Sequence, residues 1–185
     1  MSKLTIDQQR LLPSKQDVAF YREHGWYVSG DILSRAEIDD AKRGVDLFLC
    51  GEEDFPLPLE LRKYADGTTD SSDGIRMNDF IALRKSEVRR MAFNPVIAAS
   101  AARFVGTRQI RLFTSTLLVK STKHGAGKDR IGWHTDRAYW RTCTSEKMIT
   151  AWVPLQDCDM TMGTLCLLRQ QSSLVADCGR SKISL

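Results

Sequence analysis

His134-Thr135-Asp136 offers a nitrogen and an oxygen donor two positions apart, set between Trp133 and the aromatic pair Tyr139-Trp140. On an extended backbone alternate side chains share a face, so the imidazole and the carboxylate stand side by side. Such a pair supplies two of the three protein ligands of the facial triad, which holds non-haem Fe(II) and leaves positions open for substrate and oxygen. The third ligand of that set is a second His, and none follows Asp136 in the 185 residues. The chain has only His24, His124 and His134, and the first two precede the motif.

A His-x-Asp by itself recurs by chance in ordinary sequences, as a surface His beside a surface Asp. Its setting narrows the reading. It follows a Gly-containing loop from His124 to Gly132, which comes after a strand-like run. It precedes a second such run carrying Trp152, then an acidic turn (Asp157, Asp159) and Gly163.

The elements that must position this motif are legible in part. Ser14-Lys15-Gln16-Asp17 has the form of a capping box that opens a short helix through Tyr21 and stops near Gly25. Trp26-Tyr27-Val28 reads as a brief strand. Ser34-Arg35-Ala36-Glu37 is a second capping box, and Ile38, Ala41, Val45 and Phe48 behind it fall on one helical face that ends at Gly51. Residues 51–83 read as mostly irregular, with Pro56, Pro58 and a polar loop over 67–74. A helix is expected from Ser86 to about Phe93. Another starts at Asn94-Pro95, Asn as cap and Pro in the first turn, and runs to Gly106.

From Gln109 the composition shifts to β-branched and aromatic residues. Ile110–Lys120, Met148–Val153 and Thr164–Leu168 read as strands, giving helices first and strands after, an α+β order or a helix-decorated β-sandwich. Residues 169–185 lose the pattern and read as a loose, divergent tail.

Composition bounds the partners. A length of 185 residues fits one domain with a real core. The charge of +4 is spread along the chain, without the basic stripe of a nucleic-acid binder. Five Cys at wide spacing, no CxxC pair and no secretory leader point to reduced thiols and a cytoplasmic location. No stretch approaches a membrane span, and Ile183-Ser184-Leu185 misses the peroxisomal address.

The segment Arg111 to Leu168 resembles the phytanoyl-CoA dioxygenase family of Fe(II)- and 2-oxoglutarate-dependent oxygenases. The resemblance is carried by Thr116-Leu117-Leu118-Val119-Lys120, Trp133-His134-Thr135-Asp136, Tyr139-Trp140, Thr150 to Leu155, Asp157 and Gly163-Thr164-Leu165. His24 to Val28 and Leu33 to Ile38 resemble the family's opening, so the likeness covers most of residues 14–168.

What the resemblance implies is an α+β fold with a mainly β core. That core is a double-stranded β-helix (a cupin-like jelly roll) with N-terminal helices packed outside. One domain would span 1–168, helical over 14–106 and β over 107–168, with the C-terminal strands missing and 169–185 as tail. Iron would sit on His134 and Asp136 plus a distal His, with 2-oxoglutarate as co-substrate. Thr116, Trp152 and Lys120 resemble residues that line the co-substrate pocket. The implied partners are a small-molecule substrate and dioxygen, with no nucleic acid or membrane.

Each of these residues keeps a plainer alternative. Trp152 suits core packing equally well, and Thr116 suits a strand by propensity alone. Lys120, with Lys123 and Lys128, suits a solvated loop. Tyr139 and Trp140 would shape a cavity wall, and Asp157 and Asp159 would form a turn.

Where the family continues past Leu168 with a distal His and a 2-oxoglutarate Arg, this chain reads Arg169-Gln170-Gln171-Ser172. Arg180, Asp177 and Cys178 are not tied to those roles by any motif. The alternative reading is therefore a truncated, catalytically incompetent family member acting as a binding or non-functional fragment. An unrelated binding protein with a chance motif stands third.

Overall fold

The computed structural model of the chain describes residues 4–66, 74–120, 131–140, 142–162 and 164–167. They form an α+β structure of seven helices, two strands and two short 3-10 turns, divided between two compact units. One unit comprises residues 1–34, 94–110 and 134–185, and the other residues 35–93 and 111–133.

In the first unit a short helix α1 (Ile6–Arg10) precedes α2 (Lys15–His24). The capping box is reciprocal: Asp17 N–H donates to Ser14 Oγ at 3.2 Å, and Ser14 N–H to the Asp17 carboxylate at 2.7 Å. Gly25 ends the helix in the left-handed region at φ 79°, where a residue without Cβ is favoured. Trp26-Tyr27-Val28 is not a strand. Among the described residues no strand neighbours them, and Trp26 and Tyr27 pack by their rings: Trp26 meets Phe20 edge-on at 5.0 Å, and Tyr27 lies 5.1 Å from Phe104.

The helix carrying Phe104 (Pro95–Val105) has the expected start. Asn94 Oδ1 accepts from Val96 N–H at 2.8 Å, with Pro95 in the first turn. It packs on α2 through Tyr21 and Phe104, whose rings are 4.8 Å apart. Burial raises the Tyr21 phenol above its ordinary value.

The second unit is built on α3 (Arg35–Leu49), whose Ile38, Ala41, Val45 and Phe48 are buried as the periodicity predicts. Removing each of the larger of these from water contributes about 1.5–3 kcal/mol. Helix α3 packs against a later helix, Ser86–Ala92. The two come so close that a Cβ on Gly44 would lie 2.4 Å from Glu87 Cβ.

Between them, residues 51–83 are more ordered than their Pro and polar content suggests. They hold α4 (Leu59–Ala65), β1 (Ile75–Asp79) and α5 (Ile81–Arg84), so the Ser86–Ala92 helix is α6 and Pro95–Val105 is α7. The loop over 67–73 lies outside the described residues. Charge pairing supplies what periodicity lacks here. The buried Arg84 guanidinium donates to Asp66 and Glu53, each at 2.5 Å, and lies 4.5 Å from the Phe48 ring centroid. Arg62 donates to the other Glu53 oxygen at 3.0 Å, and Asn78 to Asp66 at 2.9 Å. Burial opposes the charge on Arg84, yet its bonds to Asp66 and Glu53 hold the group above its ordinary value. Next along the chain, buried Lys85 donates to Asp54 at 2.8 Å, and Ser86 N–H to the same carboxylate at 2.8 Å.

The single ladder among the described residues is antiparallel, β1 with β2 (Thr116–Lys120), in the register Ile75↔Lys120, Met77↔Leu118 and Asp79↔Thr116. The strand expected from Ile110 is therefore formed only over its last five residues. Neither Met148–Val153 nor residues 164–167 form a strand. A strand exists only where a neighbour takes its backbone bonds, and β propensity alone does not provide one. The described backbone accordingly shows a two-stranded sheet where the resemblance implies a jelly roll. Residues 168–185 lie outside the described residues. Among those described, no helix is long and apolar enough to cross a membrane.

Two outcomes follow from this packing. Gly44→Ala gains about 1 kcal/mol of helix propensity but overpacks the α3–α6 contact at about 1–3 kcal/mol. The urea midpoint should fall; a midpoint at or above wild type would contradict the close approach. Asp54 sits at about 2, below the ordinary 3.8, because Lys85 and Ser86 hydrogen-bond its charged form. A carboxyl depressed in the fold contributes stability that is whole above 3.8 and lost as the pH falls toward 2. Asp66, lowered by its bond from Arg84, acts in the same direction. Urea midpoints measured from neutral pH to pH 2 should drop below about pH 4, and Asp54→Asn should flatten that drop. An Asp54→Asn profile parallel to wild type would refute the assignment.

Candidate metal centre

Thr135 is extended, at φ −113° and ψ 132°. His134 and Asp136 therefore project to one side, as the spacing predicts. His134 Nε2 and Asp136 Oδ1 are 3.4 Å apart. Two ligands bound at about 2.1 Å and at right angles stand about 3 Å apart, so both can reach one cation after a small adjustment. The side chains are 33% and 41% exposed, open enough for a ligand to approach.

The chain turns sharply just after the pair. A 3-10 turn, Asp136–Ala138, is closed by Ala138 N–H to Thr135 C=O at 2.9 Å and Tyr139 N–H to Asp136 C=O at 3.0 Å. The turn brings the Tyr139 ring edge-on to His134 with centroids 5.5 Å apart. It also points Arg137 to the Ser145 carbonyl, to which its guanidinium donates. Thr150 Oγ1 donates to Asp136 Oδ2, so one carboxylate oxygen faces His134 and the other is held by a hydroxyl. This contact was not legible in the sequence, where Thr150 is one β-branched residue in a strand-like run. Its place in the Thr150 to Leu155 run that carries the family resemblance was the one signal that pointed to it.

The remaining candidates fall in different places. Trp152 is in the same unit as the pair, in a segment without regular structure, and is 40% exposed. Thr116 and Lys120 are at the two ends of β2, in the other unit. The Thr116 hydroxyl donates to Asp79 at 2.5 Å across the ladder, a strand contact in its own right. Asp157 is exposed, and Asp159 caps a local turn, accepting from Thr161 N–H at 2.8 Å. The bond from the Thr161 hydroxyl lowers the Asp159 carboxyl below its ordinary value.

His24 is buried at the end of α2, its ring 4.3 Å from Phe20, where it serves packing. His124, Lys123, Lys128, Gly163, Asp177, Cys178 and Arg180 lie outside the described residues. Among the described residues no group of three or more His, Cys, Asp or Glu side chains is arranged to hold a metal ion. The donor chemistry of His134 and Asp136 fits Fe(II), and as a pair they would supply two positions of the facial set.

Comparisons with curated proteins and with solved structures give no match. A family model does match, that of phytanoyl-CoA dioxygenase (PhyH), over residues 21–172, a span that takes in the end of α2, α3 to α7, both strands, the His134–Asp136 pair and Trp152. The chain thus belongs to the phytanoyl-CoA dioxygenase family, in general a family of Fe(II)- and 2-oxoglutarate-dependent oxygenases.

Proposed function

We propose that this chain is a dioxygenase that hydroxylates an unactivated C–H bond of a small organic or acyl substrate, on the jelly-roll scaffold of its family. The observation that carries the proposal is the His134–Asp136 pair, with Nε2 and Oδ1 3.4 Å apart on an extended segment. Fe(II), with 2-oxoglutarate and dioxygen, supplies the oxidising power when bound. The chain's own residues hold, orient and shield.

His134 would give a neutral nitrogen donor, and Asp136 a charged oxygen donor that offsets part of the cation's charge. The Tyr139 ring restrains the tilt of His134. Trp152 and Tyr139 offer aromatic surface against which an apolar substrate can exclude water. Thr116 and Lys120 are proposed contacts for the co-substrate, a hydroxyl donor and an ammonium matched to its carboxylates. Thr116 must then exchange its bond to Asp79. One domain spanning 1–168 is part of this proposal.

A second reading rests on the histidine inventory. Of three His, one is packed beside Phe20, and the described site holds His134 alone. Two protein ligands grip Fe(II) less firmly than three, so the chain would then be a catalytically incompetent member that binds without turnover.

One experiment separates these readings. Anaerobic addition of Fe(II) and 2-oxoglutarate to the full chain should give a visible charge-transfer band. Air should then convert 2-oxoglutarate to succinate. The doubly substituted chain, His134→Ala with Asp136→Ala, should do neither. A band without succinate supports the binding reading, and the absence of both overturns the iron site.

A further inference from the structure

We infer that Thr150 is a positioning residue for the metal centre, holding Asp136 so that a single carboxylate oxygen is presented beside His134. The inference rests on the reading of His134 and Asp136 as the iron pair. A carboxylate on a short side chain turns about a broad, roughly two-fold torsion. Left unrestrained, Asp136 can present either oxygen, or both at once. Each alternative matters to a site with few protein ligands, because a carboxylate that chelates through both oxygens closes a position that the co-substrate or dioxygen needs.

The structure shows this freedom restricted. Thr150 Oγ1 donates to Oδ2, and Oδ1 is the oxygen that stands 3.4 Å from His134 Nε2. The donor is β-branched and stiff at χ1, so its hydroxyl is held in few directions. The segment between the two residues is itself tied. Arg137 reaches the Ser145 carbonyl, and Lys147 N–H donates to Ser145 Oγ at 3.1 Å, so the 3-10 turn and the residues just before Thr150 are tied to the same serine. The His134 ring is restrained on its other flank by Tyr139. Thr150 is exposed, and water can partly replace its hydroxyl. The effect should therefore fall near the lower end of the 10–100-fold typical of groups that orient metal ligands, about tenfold in affinity.

The test uses Co(II) as a probe, with the full chain carrying Thr150→Val, Thr150→Ala or Thr150→Ser. Affinity and the visible band of bound Co(II) are read together, with far-UV circular dichroism as the check on folding. Both hydroxyl-free variants should bind Co(II) about tenfold more weakly and with a changed band, because the carboxylate is free to rotate. Thr150→Ser should keep the wild-type band and an affinity within about twofold, since its hydroxyl can make the same bond. Equal affinity and an identical band in any folded hydroxyl-free variant would overturn the positioning role and leave the iron pair standing. A Thr150→Ser chain as weak as Thr150→Ala would overturn it too, by assigning the effect to the lost methyl group. Failure of wild type to bind Co(II) would overturn the iron pair and this inference with it.

Discussion

The buried Arg84 guanidinium is the constraint around which the second unit is arranged. It is 2% exposed, and a charge so far from water is tolerated only with partners in good geometry. Its partners come from separate elements: Glu53 from the segment after α3 and Asp66 from the end of α4. Asn78 of β1 then takes up the Asp66 carboxylate, and Phe48 of α3 faces the guanidinium. Removing both carboxylates would leave a buried charge uncompensated, at about 3–5 kcal/mol. The same network places β1, and β1 is what gives β2 its ladder.

This explains which parts of the fold were legible in the sequence. α2, α3, α6 and α7 could be read because their signals are local: a capping box at Ser14, periodic apolar residues from Ile38 to Phe48, and Asn94-Pro95. α4, β1 and α5 could not. They depend on pairings 18 and 31 residues apart that converge on Arg84, and no window of sequence displays those. The strand-like runs failed for a related reason. Propensity was visible along Ile110–Lys120 and Met148–Val153, but a strand also needs a neighbour, and among the described residues only Thr116–Lys120 of these runs has one. Trp26-Tyr27-Val28 shows the reverse case, where β-favouring residues are used for ring packing instead.

The candidate site divides along the same line. His134 and Asp136 were legible because their geometry depends on one intervening residue, Thr135, being extended. The hold of Thr150 on Asp136 spans 14 residues, and only coordinates reveal it. Family membership connects the two levels. It places the segment that holds His134 and Asp136 in a family that in general uses Fe(II) and 2-oxoglutarate, while the atoms show Thr150 bonded to the Asp136 carboxylate. The chemistry proposed for the protein is then modest: hold a cation with few ligands and keep positions open.

The central claim is that His134 and Asp136 together hold iron. X-ray absorption at the iron edge of the Fe(II)-loaded full chain tests it most directly, because imidazole rings give a characteristic outer-shell scattering. The account predicts one imidazole in wild type, lost in His134→Ala while light oxygen scatterers remain. A wild-type spectrum without imidazole scattering, or one unchanged by His134→Ala, would contradict it.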